Sequence, residues 1–380
     1  MRHHPIVVAA LLALTPLVSA QDLERVATPV LLYGHGITRT GLSWGAGGVP
    51  IPGDPNIASA APALVDDARL FAAAYLAGRG GFTDRNDLAW YGHVAIPDAV
   101  LAGGSTGRLS AAFGYRRIHD ERFTATLVVA TPEDPGGPGQ RLKIEENRRI
   151  HQGFGALAWR EAWWRIGAAG GLNRFVVSGE LGEREVSEGA NGWMLAASGE
   201  IDPIESLTLG GVVQLVGDIK YAAPMTGPRA ETAIRRPVAL PGRVDLYLRY
   251  APLPTVQVLA MGRQWRWADA PDARLENVWQ LHLGLTTTVW RAATVAVGFF
   301  TLNEATAERR ADLGEPDLNG TRDQRFLTAA VTVSLPHGLA VTVQIMDSHL
   351  FDNERFREVY GSEEGMLQQT TGSQGVAWRR

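Results

Sequence analysis

From the middle of the chain onward, apolar and polar residues alternate one by one. In WQLHLGLTTTV, Trp279, Leu281, Leu283, Leu285 and Val289 share one parity. Gln280, His282, Gly284, Thr286 and Thr288 share the other, and Thr287 is a polar intruder on the apolar side. In GRVDLYLRY, Val244, Leu246, Leu248 and Tyr250 alternate with Arg243, Asp245, Tyr247 and Arg249. SLTLGGVVQL, LTAAVTVS and LAVTVQIMD repeat the pattern. A side-chain period of two is that of a half-buried strand, and helical spacing fits none of these stretches.

Alternation alone also suits a soluble sandwich, but three features favour a closed membrane barrel. The segments run close to the ~9–11 residues that cross a bilayer at a tilt of ~45°, against the ~5–6 of an ordinary strand. The polar face carries Arg, Asp, Gln, His, Thr and Gly, which suits a wet or filled lumen. Aromatic residues stand near segment ends: Trp163, Trp164, Trp265, Trp267, Trp279, Trp290, Phe299 and Phe300. Such rings form girdles at lipid–water boundaries.

Connection lengths sharpen the picture. Short links are expected at Ile201–Pro203, Ala251–Pro254, Trp290–Ala292 and Leu335–Gly338. Long ones are expected at Gly217–Pro241, Ala268–Arg274, Glu304–Asp323 and from Ser348 to about Gly365. Outer-membrane barrels alternate short periplasmic turns with long outside loops in this way.

The expected wall has fourteen strands with both ends periplasmic. The first nine are Leu70–Ala77, Leu88–Ile96, Leu109–Arg117, Ile150–Trp159, Trp164–Val176, Gly192–Gly199, Leu207–Leu215, Val244–Tyr250 and Val256–Arg266. The last five are Glu276–Val289, Thr294–Leu302, Phe326–Ser334, Leu339–Asp347 and a strand near Gln368–Trp378. Phe123–Ala130 and Leu142–Asn147 read as a hairpin outside the wall. Were they part of it, the count would be sixteen. The fold class is therefore an all-β transmembrane antiparallel barrel.

The N-terminus reads as an export signal. Arg2 supplies a positive end, Ile6–Val18 an apolar run and Val18-Ser19-Ala20 a small-residue cleavage site. The run is too short for a membrane-spanning helix, and later apolar stretches are all broken by Arg, Asp, Gly or Pro. The chain has no cysteine and a net charge of −4. This excludes a lipid anchor on cysteine and argues against nucleic acid as a partner. The expected division is 1–20 signal peptide, 21–66 an N-terminal plug or hatch, and 67–380 a barrel in the bacterial outer membrane.

Between signal and wall lies GAGGVPIPGDPNIASAAPAL, Gly45 to Leu64, which does not alternate. Here the chain resembles the FadL-like outer-membrane proteins, a group that includes hydrophobic-compound transporters and PorV-type members. Gly45, Gly47 and Gly48 match that family's glycine cluster. Asp54 and Pro55 match its acidic turn, and Pro62 and Ala63 match the end of its motif. Ala61 stands where the family has Asn, and Ser59 and Ala60 where it usually has aromatics. Leu240–Trp267 resembles the family's strand–turn–strand that ends in tryptophan.

The resemblance implies an inward-folded hatch and passive uptake of fatty-acid-like or aromatic small molecules, which leave the lumen through the wall. The alternative it implies is a PorV-type partner protein in secretion that transports nothing. Lipid, lipopolysaccharide and an apolar ligand are the expected partners of a monomer, with no cofactor.

Other chemistry is thin. GLSWG, Gly41 to Gly45, formally matches a nucleophile-elbow pattern, but a Gly/Pro-rich loop follows it and not a helix. No enzyme is expected. Gly34–Gly36 and Gly167–Gly171 lack the strand–turn–helix setting of a nucleotide loop; glycines on the inner face of a wall leave room for a plug or ligand, but a kink or bulge is the expected reading. His282 is expected to be a hydrated or hydrogen-bonded lumen residue, and no histidine spacing suits a metal. Asp312, Glu315, Asp317 and the pairs Arg235–Arg236 and Arg309–Arg310 read as solvated loop charge.

Overall fold

In the computed structural model, the described residues are 28–29, 41–82, 88–89, 96–129, 140–181, 184–217, 219–223, 234–269, 277–290, 292–302, 324–347 and 369–380. The expected signal peptide, Gly34–Gly36, the 304–323 loop and the long final loop lie outside them.

Fourteen antiparallel strands form one closed sheet. They are β1 (Phe71–Phe82), β2 (Ile96–Thr106), β3 (Leu109–Val129), β4 (Gln140–Arg160), β5 (Trp164–Leu181), β6 (Arg184–Ile204) and β7 (Leu207–Val216). After them come β8 (Gly242–Leu253), β9 (Val256–Arg266), β10 (Val278–Trp290), β11 (Ala293–Leu302), β12 (Gln324–Ser334), β13 (Leu339–Asp347) and β14 (Gln369–Arg379). Each strand pairs with its neighbour in sequence, and β14 pairs back onto β1 from Gln369↔Gly81 to Arg379↔Phe71. Beyond the ladder, Leu70 and Arg380 exchange two backbone hydrogen bonds of 3.1 and 2.9 Å. Closure removes every free edge, as a bilayer requires.

The alternation is realised with the apolar side facing out. Leu246 is 65% exposed, while Asp245 beside it is 0% exposed. Leu281, Leu283 and Leu285 face outward on β10, and Gln280, His282 and Thr286 face inward. In a soluble protein this would be inside out; in lipid it is the stable arrangement.

Several expectations need correction. Of the expected strand Leu88–Ile96, residues 90–95 lie outside the described residues; Leu88–Ala89 pairs with the end of β1, and the described strand that runs beside β1 is Ile96–Thr106. Pro97 and Asp98 interrupt its pattern at a bulge opposite Leu76. Phe123–Ala130 and Leu142–Asn147 are no separate hairpin: through Val129 and from Gln140 they belong to β3 and β4, in one ladder with a single shift between Arg117 and His119. The count stays at fourteen. β3, β4 and β6 are 21 residues long, about twice what a tilted strand needs to cross, so their outer halves project past the lipid.

The short turn after β6 is at Glu205–Ser206 and not at Ile201–Pro203, which remains in the strand. Similarly Ala251–Leu253 stays in β8, and the turn is Pro254–Thr255. Trp163, Trp279 and Trp290 do face outward, but Trp265, Trp267 and Phe300 are buried inside. No bulge occurs at Gly167–Gly171, where β5 pairs without a break on both sides.

Candidate functional site

Residues 41–66 lie against the inner face of the wall. Trp44, Val49, Ile51, Ile57, Ala60, Ala61 and Leu64 pack with Tyr247, Met261, Phe300, Phe326 and Met346 of the wall. Ala58 and Val65 pack with Phe71, Tyr75, Leu101 and Phe154 on another side. The segment thus touches strands from much of the circumference.

Its local shape follows from its sequence. A single helical turn, α1 (Leu42–Gly45), ends as Gly47 and Gly48 take positive φ values of 72° and 84°. Only glycine adopts these without strain, so the chain reverses there and Gly48 N–H returns to the Ser43 carbonyl at 2.9 Å. Asp54 caps a 3-10 turn, Pro55–Ile57, by accepting from the Asn56 N–H at 3.2 Å. Its other oxygen accepts from the Ser43 N–H at 2.8 Å. Burial pushes the Asp54 carboxyl above the usual carboxylate range, while these two N–H groups pull it down. Pro62 starts a second 3-10 turn, Pro62–Leu64, at the position where a missing N–H costs nothing.

The wall is cut to receive this segment. A Cβ at Gly298 would stand 2.0 Å from the Gly47 nitrogen, and one at Gly284 would stand 2.3 Å from the Ala46 oxygen. At Gly167 a Cβ would meet the Pro62–Ala63 peptide at 2.4 Å. Close approach, not bending, is what these wall glycines supply.

Polar wall side chains complete the fit. The Thr328 hydroxyl accepts from Gly47 N–H at 3.0 Å and donates to the Gly45 carbonyl at 2.9 Å. The His282 ring nitrogen Nδ1 is 2.6 Å from the Gly47 carbonyl. Ser198 accepts from Ala63 N–H at 2.7 Å, and Arg243 donates to the Ala60 carbonyl at 2.6 Å. With only methyl side chains at Ala60 and Ala61, Arg243 reaches the backbone there. Arg249 donates to the Pro50 carbonyl at 3.3 Å. Backbone groups that form no regular structure are thereby satisfied inside the barrel.

All seven motif residues named from the sequence, Gly45, Gly47, Gly48, Asp54, Pro55, Pro62 and Ala63, belong to this one packed body. Of their wall counterparts, Gly167 was singled out with room for a plug as its second reading, while Ser198, Thr328, Gly284 and Gly298 were not named as such. Inward parity was the signal available for them. His282 is hydrogen-bonded in the lumen, as expected. Ser43 is no nucleophile elbow: its hydroxyl is buried and accepts from the Ile51 N–H at 3.0 Å.

Two ionic groups flank the segment. Toward the short-turn end, Glu200 is held by Tyr247 (2.7 Å), by both terminal nitrogens of Arg249, and by Arg165 (3.1 Å). Toward the long-loop end, Arg263 makes a two-pronged contact to Asp245 at 2.8 and 3.0 Å. Arg243 lies 3.4 Å from the same carboxylate. Beside this second group stand rings: His282 stacks on Phe300 (5.4 Å), Phe300 on Phe326 (4.8 Å), and Trp44 tilts against Phe300 (5.2 Å). Among the described residues no cluster suits a metal ion.

Comparison with known proteins finds no matching family model and no matching curated protein. Solved structures do match. The toluene transporter TodX of Pseudomonas putida is 11% identical with a TM-score of 0.58, over 92% of this chain and 98% of that one. A FadL homologue from Pseudomonas aeruginosa is 13% identical with a TM-score of 0.57, over 90% and 99%. The toluene transporter TbuX of Ralstonia pickettii is 10% identical with a TM-score of 0.59, over 91% and 100%. At such identities the likeness is one of fold: this chain has the FadL-like fold, a closed antiparallel barrel of 14 strands.

Proposed function

We propose that this chain is an outer-membrane channel for passive uptake of hydrophobic small molecules, fatty-acid-like or aromatic, with residues 21–66 as its plug. Residues 1–20 would be the cleaved signal and 67–380 the wall. The observation that carries the reading is the matched surface between 41–66 and the wall. Glycines on both sides meet backbone to backbone, and five wall side chains hold segment N–H or carbonyl groups. A filling made so specifically, and held by hydrogen bonds that can be exchanged, suits a gate.

In this reading an apolar ligand enters from the long-loop end and settles against Trp44, Phe300 and Phe326. It shifts the plug and then leaves the lumen. No covalent step is involved. The channel works as a monomer surrounded by lipid and lipopolysaccharide. The toluene transport named for two fold neighbours supports the apolar cargo.

The test uses the absence of native cysteine. Ala63→Cys with Ser198→Cys places thiols where a 2.7 Å hydrogen bond now joins the two residues. Proteoliposomes carrying the reduced variant are expected to take up an apolar tracer, and oxidation should reduce uptake to the protein-free rate. Equal uptake in both states would remove the gate. Absence of uptake in either state, together with co-purification of a secretion component, would favour the PorV-type alternative.

A further inference from the structure

Glycine inside a strand weakens it, and commonly marks a bulge or the close approach of another backbone or a ligand. For the inward glycines Gly167, Gly284 and Gly298 the approaching backbone is that of the inner segment. Gly153 and Gly155 on β4 are different. They face outward and are exposed. β4 pairs with β5 without a shift, and its one shift against β3 lies beyond them, between Arg117 and His119. A Cβ at either position would meet nothing within 4 Å. With bulge and neighbouring backbone both excluded, an occupant from outside the chain remains.

The two glycines floor a hollow in the lipid face. Gly153 stands opposite Leu172 and then Trp193; Gly155 stands opposite Gly170 and then Leu195. These six residues line a space of about 520 Å³, and Leu172, Trp193 and Leu195 are its exposed rim. Phe113, across from Gly155 on β3, leaves it uncovered. Tyr115, across from Gly153, is turned to His151, which it hydrogen-bonds at 2.6 Å. The next outward pair toward the short turns is again small, Ala168 and Ala197. From Leu172 to Ala168 the hollow runs ~14 Å along β5, or ~10 Å of depth at a tilt of ~45°. Starting from the long-loop side, that stays within the outer half of an apolar band ~25 Å tall. Its filling is therefore an acyl chain of the outer leaflet.

One row further toward the long loops, the outward residues turn from apolar to polar. There His151 pairs with Arg174, and Arg174 with Asn191. Arg174 is exposed, and a Cβ at Gly189 would stand 3.2 Å from its Nη2, so glycine gives the guanidinium room to lie along the wall. Arg149 is the next outward residue of β4 beyond His151. Two guanidinium groups thus stand above the hollow at headgroup depth, and each has the planar fork that holds a phosphate through two N–H groups.

We propose that this face of β4, β5 and β6 is a docking site for lipopolysaccharide, with a phosphate of its lipid anchor on Arg174 and one acyl chain in the hollow below. The site needs only that the long loops face the cell exterior; it does not rest on the uptake reading. A second copy of the chain is the poorer occupant. Related by a two-fold axis along the membrane normal, it would bring the same arginines up against this row.

The experiment is native mass spectrometry of the purified full barrel in detergent, titrated with lipid A carrying its phosphates, with dephosphorylated lipid A, and with phosphatidylglycerol. The wild-type protein is expected to bind the phosphorylated form roughly tenfold more tightly than the dephosphorylated one, the scale of one charge-assisted hydrogen bond. Arg174→Gln should bring that ratio close to one, and Arg174→Lys should keep part of it. Gly155→Leu fills the hollow without meeting any protein atom at its Cβ. It should weaken both forms alike and leave their ratio unchanged. Val297→Leu, outward on β11, should alter neither. Heat-modifiable migration on gels checks that each variant is folded.

A ratio near one in the wild type, or a ratio unchanged in Arg174→Gln, overturns the phosphate contact. Affinity unchanged in Gly155→Leu overturns the acyl hollow. Phosphatidylglycerol binding as tightly as phosphorylated lipid A overturns the choice of lipid. A lipid-free wild-type dimer that Gly155→Leu turns into a monomer overturns the site altogether and makes the hollow a seam between copies.

Discussion

On β8, Leu246 and Leu248 face lipid while Asp245, Tyr247 and Arg249 between and beyond them face the lumen. The outward residues meet a fluid that accepts any apolar shape. The inward ones each have an assigned partner: Asp245 holds Arg263, Tyr247 holds Glu200, and Arg249 holds Glu200 and the Pro50 carbonyl. One ladder therefore obeys two rules. Outside, only polarity matters; inside, atom positions matter.

That contrast can be tested by substitution. The largest effect is expected for Gly298→Leu on β11, where even a Cβ would overlap the Gly47 nitrogen. The barrel should still form, but with the plug displaced, giving a steady leak in planar bilayers. The outward neighbour Val297→Leu should leave conductance at the wild-type level. A closed, non-leaking Gly298→Leu barrel would show that the inner face is as tolerant as the outer.

A middling effect is expected for Leu246→Arg, which breaks the polarity rule outside. Charge on the lipid face costs about 2–4 kcal/mol near the bilayer midplane, readable as lost stability in reversible urea unfolding from lipid vesicles. Leu246→Ile should change it by less than about 1 kcal/mol. The smallest effect is expected for Asp54→Ala. Loss of a capping carboxylate costs about 1 kcal/mol, and here it falls on the inner segment 41–66 alone. Faster amide exchange across residues 41–57 with an unchanged barrel would be the signature.

The same contrast explains which parts were legible from sequence. From β8 onward the outward face is mostly Leu, Val and Trp and the inward face carries charged, amide and hydroxyl residues among its apolar ones, so parity located strands such as Val256–Arg266 and Leu339–Asp347 to the residue. Near the N-terminus the signal fades because small residues serve both faces. In β1 Ala72 and Ala74 face outward while Ala73 and Ala77 face inward, and hydropathy cannot tell them apart. β3 looked finished at Arg117 because His119–Arg122 is charged, yet a strand that has left the bilayer can carry charge on either face.

Trp265 and Trp267 were assigned to a girdle from their place near a segment end. Trp265 shares the parity of Met261 and Arg263, and that parity puts it inside. The Gly45–Ala63 motif was readable as a motif, but most of its wall partners were not. Contacts such as Thr328 to Gly45 join residues 283 positions apart, and no local pattern encodes them.

That separation has a consequence for how the molecule is made. The segment at 41–66 leaves a growing chain long before β12, yet it finishes encircled by it. The cylinder has to close around this inner segment, with β14 meeting β1. If the segment is the stopper proposed above, one pushed wholly out could return only by threading through the bore, so biogenesis, and not a later equilibrium, would decide whether a given molecule is sealed.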